Sequence, residues 1–198
     1  MKTNNCETIK TKILIPLIIL ACLLALRVTA QVNYAVSGIT ARVTSSPNAS
    51  GNIVIASTYN GFPVTRIVVQ AFLDCTNLTS VTIPNSVTNI GGNAFYDCTG
   101  LTSIAVAIDN PAYASPDGVL FNKAQTTLIQ FPCGRDGSYA VPSGVTNIGP
   151  SAFYHCTGLT NVTIPSTVVS IGLEAFSGCV GLTSATIPDS VTSIGGSA

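Results

Sequence analysis

Apolar Leu78, Val81 and Ile83, separated by Thr79, Ser80 and Thr82, set a rhythm that recurs along most of the chain. The alternation of Val81 and Ile83 with Ser80 and Thr82 predicts a short strand with one buried face. Pro84 ends it, since a residue without an N–H cannot extend a ladder. Val87 and Ile90 turn inward again on a second, shorter extended segment. Gly91-Gly92 then turns the chain, and Ala94, Phe95 and Cys98 fit a single helical turn pressed into the core. Leu101 restarts the cycle.

The cycle has a fixed length. Ala71-Phe72-Leu73-Asp74-Cys75 and Ala94-Phe95-Tyr96-Asp97-Cys98 lie 23 residues apart, as do Ala152-Phe153-Tyr154-His155-Cys156 and Ala175-Phe176-Ser177-Gly178-Cys179. A period of this size marks a solenoid, whose coils bury their apolar residues only by stacking on one another. Equivalent strands should then pair in parallel about 4.8 Å apart. The expected fold is a β-rich solenoid: a right-handed stack of 23-residue coils with a parallel sheet and short helical turns. Its core ladder should contain Phe72, Phe95, Phe153 and Phe176 with Cys75, Cys98, Cys156 and Cys179. Phe72 should stack on Phe95, and Phe153 on Phe176.

Three places break the period. Ile55 precedes Ile83 by 28 residues, with the excess around the turn-rich Thr58-Tyr59-Asn60-Gly61-Phe62. Together with short strands in 34–43 and 53–55, this predicts an N-terminal cap and first coil strand over 31–63, and the solenoid proper over 64–198. Val106 and Val141 are equivalent by motif but 35 residues apart, which places an insertion at about 107–140. Within it, Gly118 to Phe121 and Thr127 to Phe131 flank Asn122 to Thr126 and predict a β-hairpin. Phe131-Pro132 and Val141-Pro142 could each match Ile83-Pro84, so the register stays open there. Finally, Ala198 falls 23 residues after Ala175, where the next residue would be a core Phe. A longer protein, truncated here in mid-repeat, is the expectation.

The first thirty residues belong to a different grammar. Lys2, Lys10 and Lys12 precede an apolar run from Ile13 to Leu26, and Val28-Thr29-Ala30 follows with small residues. This predicts a secretory signal peptide at 1–30; 14 apolar residues fall short of the roughly 20 that span a membrane. A lipoprotein with Cys22 acylated is a weaker reading. The rest carries four basic and seven acidic residues, a net charge of −3. No basic patch exists to neutralise phosphates, which argues against nucleic acid as a partner.

Chemistry is sparse. A secreted context raises disulfides, but sulfurs one coil apart are spaced wider than a bridge prefers, so a buried ladder of free thiols is expected. Cys133 lies outside that ladder and is the candidate exposed thiol. His155, the only histidine, shares its repeat position with Asp74, Asp97 and Gly178, which predicts a solvated turn rather than a catalytic base. Asp109-Asn110 and Asp117-Gly118 read as turn formers before calcium ligands. Asn48, Asn77 and Asn161 begin glycosylation sequons, relevant only in a eukaryotic host. No catalytic residue, metal or cofactor is assigned. The outward strand positions (Ser80, Thr82, Ser103, Ala105, Asn161, Thr163, Ser184 and Thr186) form a small, neutral face without aromatic or Arg anchors. Insertions often mark a binding face, and Tyr113, Phe121, Lys123, Arg135 and Tyr139 form the candidate contact region. The competing reading puts those aromatics in the core of a variant coil.

The phrases Leu182-Thr183-Ser184-Ala185-Thr186-Ile187-Pro188-Asp189-Ser190-Val191-Thr192-Ser193-Ile194-Gly195 and Ile90-Gly91-Gly92-Asn93-Ala94-Phe95-Tyr96-Asp97-Cys98 resemble the BspA-type leucine-rich repeats over about residues 50–198. The chain departs from commoner leucine-rich repeats after the strand, where Ser86 and Val87 stand near the expected Asn or Cys. The resemblance implies a secreted or cell-surface solenoid engaged in adhesion or partner binding, with a protein or glycan ligand at the cell exterior. The alternatives are an ancillary repeat region of a larger exported enzyme, or a passive surface spacer.

Overall fold

The computed structural model describes residues 32–198, so the leader expected at 1–30 lies outside the described residues. Strands β1 (Tyr34–Ser37) and β2 (Thr40–Val43) open the chain as an antiparallel hairpin, followed by β3 (Gly51–Val54), β4 (Thr58–Tyr59) and β5 (Phe62–Ile67). β4 and β5 form a second hairpin whose Asn60-Gly61 turn has positive φ at both residues, 51° and 81°. Such turns match the twist of the flanking strands, so the residues beyond the period close a tight loop. The regular coils then supply β6 (Leu78–Ile83), β7 (Asn89–Ile90) and β8 (Ser103–Val106).

Two parallel ladders run through the stack, as the alternation predicts. Ile53, Val81 and Ile104 are partners across β3, β6 and β8, and all three are buried. The shorter segments form the second ladder through β2, β5 and β7, with Ile67 opposite Ile90. Val87, Ala94, Phe95, Cys98 and Leu101 complete the inner lining of the type coil. Gly91 is required where it stands: a Cβ there would strike the backbone of Val69 in the preceding coil.

The segment expected to be a helical turn is a different structure. Gln70, Asn93, Ser151, Glu174 and Ser197 have φ between 52° and 56°, and Asp74, Asp97 and His155 between 54° and 59°. The turns at 70–74, 93–97, 151–155 and 174–178 thus each carry two left-handed residues four apart, which breaks any helix into successive tight turns. The alternation aims every second N–H at the next coil. Gln70, Phe72 and Asp74 donate to the carbonyls of Gly92, Ala94 and Tyr96 at 2.9–3.2 Å, and Ser151, Phe153 and His155 donate to Leu173, Ala175 and Ser177 at 2.8–2.9 Å. The aromatic ladder follows, with Phe72 on Phe95 (5.4 Å between centroids) and Phe153 on Phe176 (4.7 Å).

The insertion interrupts both ladders. After β8 come β9 (Tyr113–Ala114), one turn of 3-10 helix (Pro116–Gly118), β10 (Leu120–Asn122), β11 (Thr127–Gln130) and β12 (Gly137–Ala140). β10 and β11 form the expected antiparallel hairpin, and β9 adds to the outer edge of β10. Beyond the break the ladders resume in β13 (Asn147–Ile148), β14 (Leu159–Thr163), β15 (Ser170–Ile171) and β16 (Ser193–Ile194). Leu128, Ile148, Ile171 and Ile194 are in line, and Tyr139 pairs with Val162. β8 does not pair with β12, nor β7 with β11: β10 and then β9 occupy the edge of β11, and the turn at 115–118 lies against β8, where Ser115 Oγ accepts from the Val106 N–H. The apolar interior is correspondingly divided into one cluster from Ala41 to Leu120 and another from Val119 to Ala175.

The open register is settled by hydrogen bonds. Val141 N–H donates to Thr163 O at 3.0 Å, as Ile55 N–H donates to Thr82 O at 2.9 Å, so Val141-Pro142 is the counterpart of Ile83-Pro84. Phe131 instead joins the aromatic ladder, 5.1 Å from Phe153. One expected strand is missing: Leu182 to Ile187 carries Ala185 where Val81, Ile104 and Val162 fill the core, and it forms no ladder there.

Candidate functional site in the interrupted coil

The break is held together by a few specific contacts. Asn110 is fully buried and uses its whole carboxamide. Its Nδ2 donates to Pro84 O (2.8 Å) and Val87 O (2.9 Å), while Oδ1 accepts from the Ala112 and Tyr113 N–H groups at 2.9 Å. It therefore stitches the inserted segment to the coil before it. Tyr113 does the same through its hydroxyl, which accepts from Ile90 N–H at 2.8 Å, on the edge of β7 that has no strand partner. Reading Asp109-Asn110 as a turn missed this role; the signal was an Asn at the point where the period fails.

The candidate contact residues do not form one patch. Phe121 is buried in the second core cluster, and Tyr139 packs against Phe131 and Phe153. Arg135 lies over the Phe131 ring at 5.4 Å and donates from Nη1 to Asp117 O at 2.9 Å. Tyr113 and Lys123 do meet, around an open depression of about 310 Å³ that also includes Ile108. Ile108 is 95% exposed, and Lys123 Nζ reaches its carbonyl at 3.1 Å.

The cysteines depart furthest from expectation. Cys133 is neither outside the ladder nor exposed: it lies 23 residues before Cys156, is buried, and forms a disulfide with it. The chain drops a residue between Phe131 and Cys133 relative to Phe153 and Cys156, which displaced Cys133 from the motif and hid it. Cys156 accordingly leaves the ladder of free thiols, and the Cα atoms of the pair come to 4.2 Å, closer than a regular coil spacing. The other cysteines among the described residues remain free. Cys98 Sγ donates to Phe72 O at 3.0 Å and Cys179 Sγ to Phe153 O at 2.9 Å, so each thiol caps a carbonyl of the preceding coil. Burial pushes the Cys98 thiol up to about 12 and raises Cys75 and Cys179 as well.

The shortened turn has a second consequence. Its neighbours on either side meet directly across it: Tyr96 stacks on Tyr154 at 3.9 Å, and His155 Nδ1 lies 2.7 Å from Asp97 Oδ1. His155 is thus a partly exposed partner of Asp97 and not merely a solvated turn residue. Its left-handed φ of 54° explains why Asp, Gly and His share this position.

Opposite these contacts lies a cleft of about 150 Å³, lined on one side by residues 90–95 and on the other by Gln130, Gly149 and Pro150. Here the coil-to-coil hydrogen bonds fail. Among the described residues, the N–H groups of Asn93, Phe95 and Asp97 find no acceptor, although their counterparts one coil earlier all do. Pro150 O, the counterpart of Gly92 O, accepts from no donor among the described residues. Gln130 is buried and lines the cleft; its Nε2 donates to Phe131 O at 3.0 Å, and its Oε1 accepts from no donor among the described residues.

Among the described residues no group of three or more His, Cys, Asp or Glu is placed to hold a metal, and no helix is long and apolar enough to cross a membrane. The BspA type Leucine rich repeat region profile matches residues 52–134 and 131–198, in six copies. No curated protein matches the sequence significantly. Among solved structures, a leucine-rich repeat protein from Eubacterium ventriosum is 34% identical with a TM-score of 0.64, over 68% of this chain and 37% of its own. The pneumococcal vaccine antigen PcpA is 29% identical with a TM-score of 0.61, over 68% of this chain and 33% of its own. A leucine-rich cell surface protein from Faecalibacterium prausnitzii is 30% identical with a TM-score of 0.53, over 66% and 41%. The chain therefore spans about a third of the length of the first two. By its repeats and by its fold, this chain belongs to the BspA-type leucine-rich repeat family.

Proposed function

We propose that this protein is an exported, surface-displayed interaction module that binds a partner protein through its interrupted coil. The observation that carries this reading is the depression in the insertion, where a 95% exposed Ile108 sits beside Lys123 and Tyr113. Large apolar side chains so exposed beside a cation and an aromatic ring suit a contact site far better than the neutral sheet face does. The basic, apolar and small-residue order of the leader supports export, and relatives of similar fold include a cell surface protein. Adhesion through a protein or glycan at the cell exterior is the biological role that fits.

The test is a panel of extracellular matrix proteins and glycans, offered to the immobilised protein and to the double variant Ile108→Asp, Lys123→Glu. Binding that weakens at least about tenfold in the variant, with unchanged thermal stability, supports the reading. Binding that survives the variant would move the site elsewhere. A second reading, the passive spacer, draws on the small Thr/Ser/Asn side chains exposed along β6 and β14; silence across the whole panel favours it.

A further inference from the structure

The cleft at the break has the hydrogen-bonding pattern of a missing strand. In intact parts of the stack, every second N–H of the turn donates to a main-chain carbonyl of the next coil, as Phe72 N–H does to Ala94 O at 2.9 Å. At the break the turn keeps its two left-handed residues, Asn93 and Asp97 at φ 55° and 59°, but the Asn93 and Phe95 N–H groups find no acceptor among the described residues. β10 pairs with β11 at Gln130, the residue whose backbone would otherwise face Phe95. Across the cleft stand acceptors: Pro150 O and Gln130 Oε1. Donors on one wall and acceptors on the other match a polypeptide main chain, which presents both groups; an anion would meet the donors and be repelled by the acceptors.

The remaining features agree. Leu120, Ile129 and Ala94 give the cleft an apolar lining, and no charged side chain lines it. The nearby Asp97 carboxylate is engaged with His155. At about 150 Å³, against roughly 30 Å³ for a water in the liquid, the space admits a short length of chain with a small side chain. Buried-edge N–H groups left without partners carry a cost that such a chain removes.

We propose that this cleft binds an extended, uncharged peptide segment of a partner protein, which takes the place that coil backbone takes elsewhere in the stack. The peptide's carbonyls accept from Asn93 and Phe95 N–H, and its N–H groups donate to Pro150 O and Gln130 Oε1. This rests on the interaction-module reading and gives it a site that reads main chain, separate from the depression at Ile108.

The experiment titrates the 15N-labelled protein with the capped tripeptide acetyl-Gly-Ala-Gly-amide and follows amide resonances. The expected result is saturable movement of Asn93 and Phe95, with Phe72 and Phe153 still. Gly92→Leu supplies the control. Val69 and Leu173 occupy the same coil position, and Leu173 reaches to within 3.6 Å of a Cβ placed at Gly196 in the next coil. A leucine side chain introduced at Gly92 should therefore leave the fold intact and fill the cleft. That variant should bind about tenfold more weakly or worse. An unmoved Phe95 amide, undiminished binding by Gly92→Leu, or equal movement with acetate alone would each overturn the proposal. If the matrix panel still finds a partner, only the cleft is refuted; if it too is silent, the interaction reading falls with it.

Discussion

At the scale of single residues, the chain places polar groups where the apolar pattern cannot explain them. Cys98 reads in the sequence as a small core residue; in the structure its thiol also caps Phe72 O, in an interior that holds it protonated. With its ordinary value of 9.0 raised to about 12 in the fold, the neutral thiol stabilises the native state fully below pH 9. That contribution is lost as pH rises from 9 toward 12. Urea midpoints measured across this window should fall, and Cys98→Ala should flatten the fall. Asn110 carries four hydrogen bonds in a fully buried site. Asn110→Ala strands Val87 O and the Ala112 and Tyr113 N–H groups, leaves Pro84 O with the Val87 N–H alone, and should cost at least about 1–3 kcal/mol in chemical denaturation. Neither role was legible from composition or spacing, because both depend on which carbonyl of a neighbouring coil lies within reach.

Elements were more legible. The alternation at 78–83 located β6, and the turn residues at 122–126 located the β10–β11 hairpin. Register within the insertion was not legible, since Phe131-Pro132 and Val141-Pro142 are the same words at different places in the coil. The helical turn was misread for a related reason. Ala, Phe and Cys at that spacing suit a helix, and only the positive φ at Asn93 and Asp97 shows paired turns instead. The aromatic ladder gives a sharp test of the break. Phe153 is stacked on both faces, by Phe131 and Phe176, whereas Phe95 is stacked by Phe72 alone and borders the cleft. Phe153→Ala should fall toward the upper end of the roughly 3–5 kcal/mol expected for such a truncation, and Phe95→Ala toward the lower. Equal losses in urea titrations would mean that Phe95 is as enclosed as Phe153.

At the scale of the whole molecule, the period predicted a solenoid over 64–198 with an insertion at about 107–140, and the structure shows two stacks joined by a wedge. The join consists of the β9–β10 insertion and the Tyr96–Tyr154 and Asp97–His155 contacts, while a disulfide within the second stack ties its shortened first turn at Cys133 to Cys156. The disulfide closes a 23-residue span, and its removal by Cys133→Ser should lower stability by about 2–4 kcal/mol, read as a reduced urea midpoint. The loss should fall on the second core cluster, which contains both sulfurs. A solenoid interrupted in this way keeps its repeats on either side and leaves the Asn93, Phe95 and Asp97 N–H groups without acceptors among the described residues at the break.

That open place can be measured directly by amide hydrogen exchange. Phe72, Phe95 and Phe153 are equivalent residues with buried rings, but the Phe72 and Phe153 N–H groups have main-chain acceptors at 2.9 and 2.8 Å and the Phe95 N–H has none among the described residues. The Phe95 amide should exchange roughly a hundredfold faster than the other two. Protection of Phe95 equal to that of Phe72 would show that the ladder runs unbroken through the insertion, and would contradict the account.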